Sequence, residues 1–510
     1  MSTLRLAELL SPLSAAADSG AGLPPETGLR TALIGLALAR KIGLSGAALQ
    51  DVFFAGLLRH LGCSATAHEE TRLMGDEQEL RTSFATVDAA SPLQMLKGAS
   101  SGFARGKGRL KRVRTVARFM LQAPSAVPPI FAARCEVASH LARRLSLGDG
   151  VVRALDETYE RFDGKGLPRR RRGETLSALA RVLAVAETAA MLLRLPGGES
   201  MACKLITERA GGQFDPAIVR TFLDERDQIM AQSRADAVLA AVLDAEPKPH
   251  RTVERPREVA LVLADFADLK STFTLGHSRK VAELARRAAE ALALSPSEIE
   301  AVELAGWLHD LGRVSVSNAI WDKPGPLDVG EWEKVRAHPQ FTERVLSLAE
   351  PWRKLAKLAA SDHERMDGQG YPRGVLPANS GMAARVLAAA DVYQALVEPR
   401  PHRAAHTAER AAAILGEEAA AGRLERTAVN AVLQVAGHGG RARVAPPCQL
   451  TEREVEILAL LARGLVDKEI AARLDISHRT VHHHNQSIFG KIGVSTRGAA
   501  ALFASENNLI

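Results

Sequence analysis

Apolar residues along this chain recur mostly at helical spacing. Val302, Ala305, Gly306 and His309 fall at i, i+3, i+4 and i+7, one face of a helix, and Val281, Leu284, Ala285 and Ala288 form a similar stripe. The first of these runs opens on Ser295-Pro296-Ser297-Glu298. Ser295 can cap, Pro296 suits the first turn, and Glu298 closes a capping box. The small residues let neighbouring helices approach closely and aim His309 inward, while Asp310 falls at the helix end, where Gly312 permits a stop. Near the C-terminus, Thr451 and Glu454 make a second capping box, followed by the stripe Val455, Leu458, Ala459, Ala462 and a stop at Gly464. A short helix should follow Asp467, with Ile470, Ala471 and Leu474 inward. Ser477 should cap another, with Val481, Ile488 and Ile492 inward and Arg479, His482, His483 and Gln486 outward. Strand-like alternation is hard to find, so the pattern predicts an all-α protein.

Two breaks divide the pattern. Prolines from Glu246 to Pro256 remove backbone donors and interrupt helix. Gly437–Pro447, rich in Gly, Arg and Pro, reads as an exposed linker. The expected domains are therefore residues 1–245, 257–437 and 448–510. The first two look like copies of one another. Arg161-Phe162-Asp163-Gly164-Lys165-Gly166-Leu167-Pro168 mirrors Arg365-Met366-Asp367-Gly368-Gln369-Gly370-Tyr371-Pro372, and each run is followed by an Ala-rich helix. Leu58-Arg59-His60-Leu61-Gly62 mirrors Leu308-His309-Asp310-Leu311-Gly312. An internal duplication accounts for both matches. The first copy carries Arg59, His60, Tyr159 and Glu187 where the second has His309, Asp310, His363 and Asp391. It is expected to be degenerate, with the scaffold kept and the chemistry lost. Its insertion holds Arg105, Lys107, Arg109, Lys111, Arg112 and Arg114, read as a solvated loop, as is the run Arg169–Arg172.

Composition narrows the class. At 510 residues the chain exceeds one core, and at roughly 150 residues per domain it should hold about three. A net charge of +7 and a pI near 9.3 allow nucleic-acid or nucleotide partners. Cys63, Cys135, Cys203 and Cys448 lack CxxC spacing, which speaks for a reducing compartment over a disulfide framework. The first residues do not read as a signal peptide, and no run of about 18 apolar residues occurs. A cytoplasmic location without membrane contact is expected.

The densest chemistry is His277, His309-Asp310, His338, Asp362-His363 and Asp391. A buried aspartate is costly unless paired or metal-bound, and its two oxygens can bridge two cations. Nitrogen and oxygen ligands without thiolate favour iron, manganese or another first-row metal over a structural zinc site. Two such ions about 3.5–4 Å apart would activate a water and clamp phosphate oxygens for in-line displacement. A single histidine of this kind reads as structural; the order and spacing of the set carry the metal reading.

These residues, with Lys323-Pro324-Gly325, Gly370-Tyr371-Pro372 and Arg400-Pro401, resemble the HD-GYP phosphohydrolases over about residues 270–415. The resemblance implies two HD-like helical domains in tandem, a centre of two divalent metals (usually iron or manganese) and hydrolysis of cyclic di-GMP. It implies that His277, His309, Asp310 and Asp391 hold one metal and that Asp310, His338, Asp362 and His363 hold the other. It gives His309, Asp310 and Arg313 catalytic roles, and Arg313, Asp367, Gly370, Tyr371 and Pro372 a place in the nucleotide pocket. Three positions depart from the family pattern: Asp362 stands for a histidine, Arg313 for a lysine and Phe273 for a glutamate that supports a third metal. Two metals are therefore expected rather than three. Arginine can grip phosphate with paired bonds but is not equivalent to lysine.

Between Ile476 and Ser505 no acidic residue occurs, which suits a helix pressed against phosphates and base edges. Across Gln449–Ile510 seven Lys and Arg are matched by seven Asp and Glu, so placement carries this reading and net charge does not. Leu450-Thr451, Arg453-Glu454, Lys468–Ala471, Ser477, Thr480-Val481, His484 and Lys491–Val494 resemble the four-helix LuxR-type helix-turn-helix. By that resemblance Lys468, Thr480, His484 and Lys491 contact the backbone of double-stranded DNA, and Arg479, His483 and Gln486 lie nearest the bases. It also implies a homodimer paired through the fourth helix, about Thr496–Glu506. Two function classes follow: a metal-dependent cyclic di-GMP phosphodiesterase joined to a DNA reader, or a transcription regulator that senses nucleotide or metal without turnover. No receiver-like α/β domain is visible upstream, so phosphorelay control is not expected.

Overall fold

The structure, a computed structural model, describes residues 4–102, 109–254, 256–374, 381–437, 447–507 and 509–510. Arg105, Lys107 and most of the expected linker at 437–447 lie outside the described residues. Helices dominate, as the spacing predicts. The exception among the described residues is a two-stranded antiparallel pair in which Leu4 faces Val253 and Arg5 faces Thr252. The segment after Glu246 is therefore part of the first unit's framework rather than a spacer. The chain divides into two compact units, Met1–Pro256 and Arg257–Ile510. Among the described residues, no helix is long and apolar enough to cross a membrane.

In the first unit, helix Thr27–Lys41 packs against helices Ala47–Leu57 and Ala178–Leu193. Gly56 makes the first contact possible, because a Cβ there would lie 2.8 Å from Cα of Ala32. In the second unit, helix His277–Ala291 packs against helices Pro296–Leu308, Met382–Val397 and Arg426–Ala436. Gly306 repeats the role of Gly56, with Cα of Ala282 at 2.6 Å from its virtual Cβ.

These matched contacts establish the repeat in three dimensions. Gly56, Ala32 and Gly62 recur as Gly306, Ala282 and Gly312, each 250 positions later. From Arg134 and His338 onward the shift is 204, so the first copy holds 46 extra residues (250 − 204) between Gly62 and Arg134. The pairing at that point rests on geometry: Gly62 abuts the carbonyl of Arg134 as Gly312 abuts that of His338. The insertion forms helices Ala67–Met74, Glu77–Phe84 and Pro92–Gly102 and the start of Arg109–Arg144. Arg109, Lys111, Arg112 and Arg114 are thus helical, a correction to the loop expected there. A run of positive charge does not stop a helix built from Arg, Lys, Val and Leu, all of which tolerate helical geometry. Arg169–Arg172 is a loop, mostly exposed, with Arg169 paired to Asp156 at 3.0 Å.

The terminal part of the second unit holds four helices, Glu452–Ala462, Asp467–Leu474, His478–Ile492 and Arg497–Glu506. The boxes expected at Ser295/Glu298 and Thr451/Glu454 are both formed, and Ser477 caps the third of these helices. Each such cap satisfies amides that helix geometry leaves open and is worth about 1 kcal/mol.

Candidate metal centre and nucleic-acid interface

The turn that follows helix Pro296–Leu308 places His309 and Asp310 side by side, both buried. Thr342 clamps this turn: its hydroxyl donates to the His309 carbonyl at 2.8 Å and accepts from the Gly312 amide at 2.8 Å. Because Thr342 lies one turn beyond His338, the clamp brings that imidazole to the same place. Helix Met382–Val397 carries Asp391, and the loop before Gly370 carries Asp362 and His363.

The seven candidate ligands converge. His277 Nε2 lies 3.1 Å from Asp391 Oδ1 and 3.8 Å from Asp310 Oδ2. His309 Nε2 lies 3.6 Å from Asp310 Oδ2 and 3.8 Å from Asp391 Oδ1. On the other side, His338 Nε2 lies 3.6 Å from Asp310 Oδ1, and His363 Nε2 lies 3.2 Å from Asp362 Oδ2. Asp310 therefore turns one oxygen to His277 and His309 and the other to His338. Three overlapping ligand groups form: His277, His309 and Asp391; His309, Asp310 and Asp362; His338, Asp362 and His363.

The donor atoms fit cations. His309 Nε2, His338 Nε2 and both Asp362 oxygens are buried without a hydrogen-bond partner. His309 Nδ1 lies 2.8 Å from the Gly306 carbonyl, and His338 Nδ1 lies 2.6 Å from the Val335 carbonyl. A ring nitrogen can meet a carbonyl oxygen only as a donor, so each Nε2 keeps its lone pair for the centre. Electrostatics point the same way. Burial pushes the Asp310 carboxyl up, but Arg313, His309, His277 and His338 outweigh it and hold it well below the usual carboxylate range. Burial and the charges of Asp391 and Asp310 push Asp362 well above that range. Burial brings His338 down to about 4 and His363 down to about 3. Three carboxylates this close cannot all ionise without cations among them, and divalent ions would relieve the crowding.

Of the remaining pocket candidates, Arg313, Gly370 and Tyr371 sit beside this cluster. Arg313 lies 3.2 Å from Asp310 Oδ2. Tyr371 stacks on His363 with ring centroids 4.6 Å apart. Gly370 lets its loop fold against the ligand segment, since a Cβ there would fall 2.6 Å from both Cα of Glu364 and the His363 carbonyl. Pro372 follows a cis peptide bond, as Pro168 does in the first copy. Asp367 is exposed, and its carboxylate accepts the Gln369 amide at 3.0 Å, so it shapes the loop and stands apart from the ligand groups.

Two residues that sequence spacing did not single out belong to this neighbourhood. Glu398 is buried and lies 2.8 Å from His277 Nδ1, so a carboxylate backs the His277 imidazole. Burial opposes its ionisation, yet His277, Arg400 and Lys280 bring it down to about 2. Glu398 follows the end of helix Met382–Val397 in extended backbone, where helical periodicity gives no signal. Glu398→Ala is expected to weaken metal binding by about 10–100-fold, read by competition with a chelator. The second is Trp321, at the end of the four-residue helix Asn318–Trp321, too short to give a periodic signal.

The first copy answers each ligand with something else. Thr27, Arg59, His60, Arg134, Thr158, Tyr159 and Glu187 occupy the positions of His277, His309, Asp310, His338, Asp362, His363 and Asp391. Arg59 Nε pairs with Glu187 at 2.5 Å, and His60 lies 2.7 Å from Glu187 and 3.2 Å from Asp18. Arg134 pairs with Glu70. Side-chain cations stand where the second copy presents ligands, and no candidate ligand group occurs there among the described residues.

In the terminal domain Lys468, Arg479, His483 and Gln486 are exposed, while Thr480 and His484 are half-buried at the edge of the third helix. Lys491 is tied to Glu454 at 2.7 Å. Helix Arg497–Glu506 is buried on nearly every side, and Ser505 Oγ lies 3.4 Å from where a Cβ on Gly276 would sit, one residue before His277.

A family model described as "HD domain" matches residues 130–218 and 261–427, once in each copy, and one described as "Bacterial regulatory proteins, luxR family" matches residues 448–504. The 3'3'-cGAMP-specific phosphodiesterase 3 of Vibrio cholerae is 31% identical over 421 residues, 81% of this chain and 91% of that protein. The cyclic di-GMP phosphodiesterase response regulator RpfG of Xanthomonas campestris is 34% identical over 164 residues, 32% of this chain and 43% of that protein. A crystal structure of a cyclic GMP-AMP specific phosphodiesterase from Vibrio cholerae aligns with a TM-score of 0.58 and 26% identity, covering 86% of this chain and 99% of that one.

Proposed function

The chain belongs to the HD-domain family and ends in a luxR-family DNA-binding domain, and from that premise we propose a transcription regulator whose second copy binds two divalent metals and hydrolyses a cyclic dinucleotide. The observation that carries this is the position of Asp310 between two imidazole groups, one oxygen toward each. Iron or manganese suits this nitrogen and oxygen set. When bound, the pair would supply an activated water and neutralise charge on the phosphate.

The protein's own groups do the rest. The buried imidazoles of His309 and His338 hold their Nε2 lone pairs toward the centre, whereas His277, raised to about 10 against burial by Glu398 and Asp391, gives up a proton on ligation. Arg313 offers a guanidinium to a phosphodiester oxygen. Tyr371 stacks on His363, and the Gly370 turn folds against the ligand segment, so this loop borders the centre. The relative that spans both copies is named for 3'3'-cGAMP and the shorter one for cyclic di-GMP. Elemental analysis paired with hydrolysis of each dinucleotide tests the reading. Metal-loaded protein that cleaves neither overturns it.

A second reading, a sensor that binds without turnover, draws on Asp362, whose raised carboxyl lowers the charge the cluster offers to cations. Binding without cleavage would support it.

The terminal domain reads double-stranded DNA with Arg479, His483 and Gln486 toward the bases. Arg479→Ala should cost about 1–3 kcal/mol on a selected operator and relax specificity there, whereas Lys468→Ala should lower the salt slope by about 1. Both are read by titration at several salt concentrations. Pairing of two chains through about Thr496–Glu506 would require this helix to leave the cover it has within the chain. Since Ser505 abuts Gly276 beside His277, occupancy of the centre should be felt by that helix. Operator affinity at fixed salt is expected to change about 5–150-fold between metal- and nucleotide-loaded and stripped protein. Unchanged affinity would remove the coupling.

A further inference from the structure

Arg313 and Trp321 behave as one unit. The Arg313 guanidinium carbon lies 3.8 Å from the centroid of the Trp321 ring, a close stacking distance. The Trp321 indole donates to the carbonyl of Arg313 itself at 3.0 Å, so the tryptophan holds both the side chain and the backbone of that residue. Trp321 in turn packs on Val316, Ile320 and Val335, and its ring stands edge-on to His338 with centroids 5.6 Å apart. The indole thus bridges a small apolar cluster and the candidate metal centre. The guanidinium that it carries reaches Asp310 at 3.2 Å.

Arginine on a flexible stem would pay rotamer entropy to grip a ligand, and stacking removes much of that freedom beforehand. Lysine at this position would keep the charge but lose the planar face that stacks and the fork that makes two parallel bonds. The resemblance to a family with lysine at this position makes the contrast testable.

We propose that Trp321 is a positioning residue that locks the Arg313 guanidinium beside the metal centre as a fixed fork for a phosphodiester oxygen of a cyclic dinucleotide. The inference rests on the cyclic-dinucleotide reading above and adds the residue that makes arginine work there. Positions 313 and 321 are then energetically coupled: lysine at 313 impairs this chain, and the loss is no greater when the indole is also absent.

The test uses the full chain loaded with metal and cleavage-resistant phosphorothioate analogues of cyclic di-GMP and 3'3'-cGAMP. Affinity is measured for wild type, Trp321→Phe, Trp321→Leu, Arg313→Lys and the double variant Arg313→Lys/Trp321→Leu, with metal content recorded for each. Trp321→Leu and Arg313→Lys are each expected to weaken binding by about 2- to 30-fold, the range for a cation over an aromatic face. The double variant should match the weaker single one, and Trp321→Phe, which keeps a face to stack on, should recover most of the affinity. With the natural substrate the loss should appear in KM more than in kcat. Wild-type affinity in Trp321→Leu, or losses that multiply in the double variant, would overturn the inference. If Trp321→Leu sheds metal through His338, Arg313→Lys decides in its place, and wild-type affinity there overturns it. A wild type that binds neither analogue overturns the functional reading, and this inference with it, before any variant is compared.

Discussion

Asp310→Ala is expected to leave one metal ion or none in place of two and to lower cyclic-dinucleotide hydrolysis by about 10²–10⁴-fold, several kcal/mol at 1.36 kcal/mol per decade. Asp310 Oδ1 lies 3.6 Å from His338 Nε2 and its Oδ2 lies 3.6 Å from His309 Nε2, so it joins the two sides at closer range than Asp391, whose Oδ2 lies 3.9 Å from His363 Nδ1. Removing it leaves each half of the cluster without its shared ligand. The fold should survive, because the loss of one carboxylate relieves repulsion on Asp362, and Arg313 keeps its stack on Trp321. Circular dichroism, elemental analysis and turnover on the same sample separate these effects. A folded Asp310→Ala protein that retains both ions would remove Asp310 from its bridging position. The matched variant in the first copy, His60→Ala, should leave metal content unchanged, since no ligand group surrounds it among the described residues.

Gly312→Ala is the second large effect. The added Cβ would overlap the His338 carbonyl oxygen and sit 2.7 Å from Thr342 Oγ1. Neither neighbour can yield cheaply, because His338 is buried and Thr342 bridges Gly312 to the His309 carbonyl. Overpacking of this kind costs about 1–3 kcal/mol, and here it also drives His338 away from Asp310. Both stability and metal content should fall. Gly62→Ala in the first copy provides the comparison, since its Cβ would overlap the Arg134 carbonyl and lie 2.8 Å from Cα of Arg134. It should lose a similar amount of stability and no metal. Denaturant midpoints and metal content for the two variants check this; a Gly312→Ala protein with full metal content would show that the His309–His338 clamp does not set ligand spacing.

Helices, caps and the repeat were legible in the sequence because they depend on near neighbours. Ser295 with Glu298 and Thr451 with Glu454 sit three residues apart, so their reciprocal bonds follow from helix geometry alone. The ligand set was legible as residue types in order. Its split into two groups sharing Asp310 came from the family resemblance, and the contacts within it did not follow from the sequence. His277 meets Asp391 across 114 positions and Glu398 across 121, and no local rule brings those distances to 3.1 and 2.8 Å. The first copy gives the converse. Arg59, His60, Tyr159 and Glu187 could be aligned by their flanking residues. The counterpart of His338, Arg134, lay hidden behind a 46-residue insertion until the packing of Gly62 and Gly312 revealed it.

Sequence by itself determined that this is a helical tandem repeat with a ligand-bearing second copy and a DNA-reading end, because amphipathic spacing, capping and residue chemistry act over one or two helical turns. Tertiary structure alone decided the distances at which Asp310 meets His309 and His338, that Glu398 backs His277 and that Trp321 carries Arg313. Those relations depend on how close glycine and alanine let distant helices come, and the packing of whole helices sets that distance.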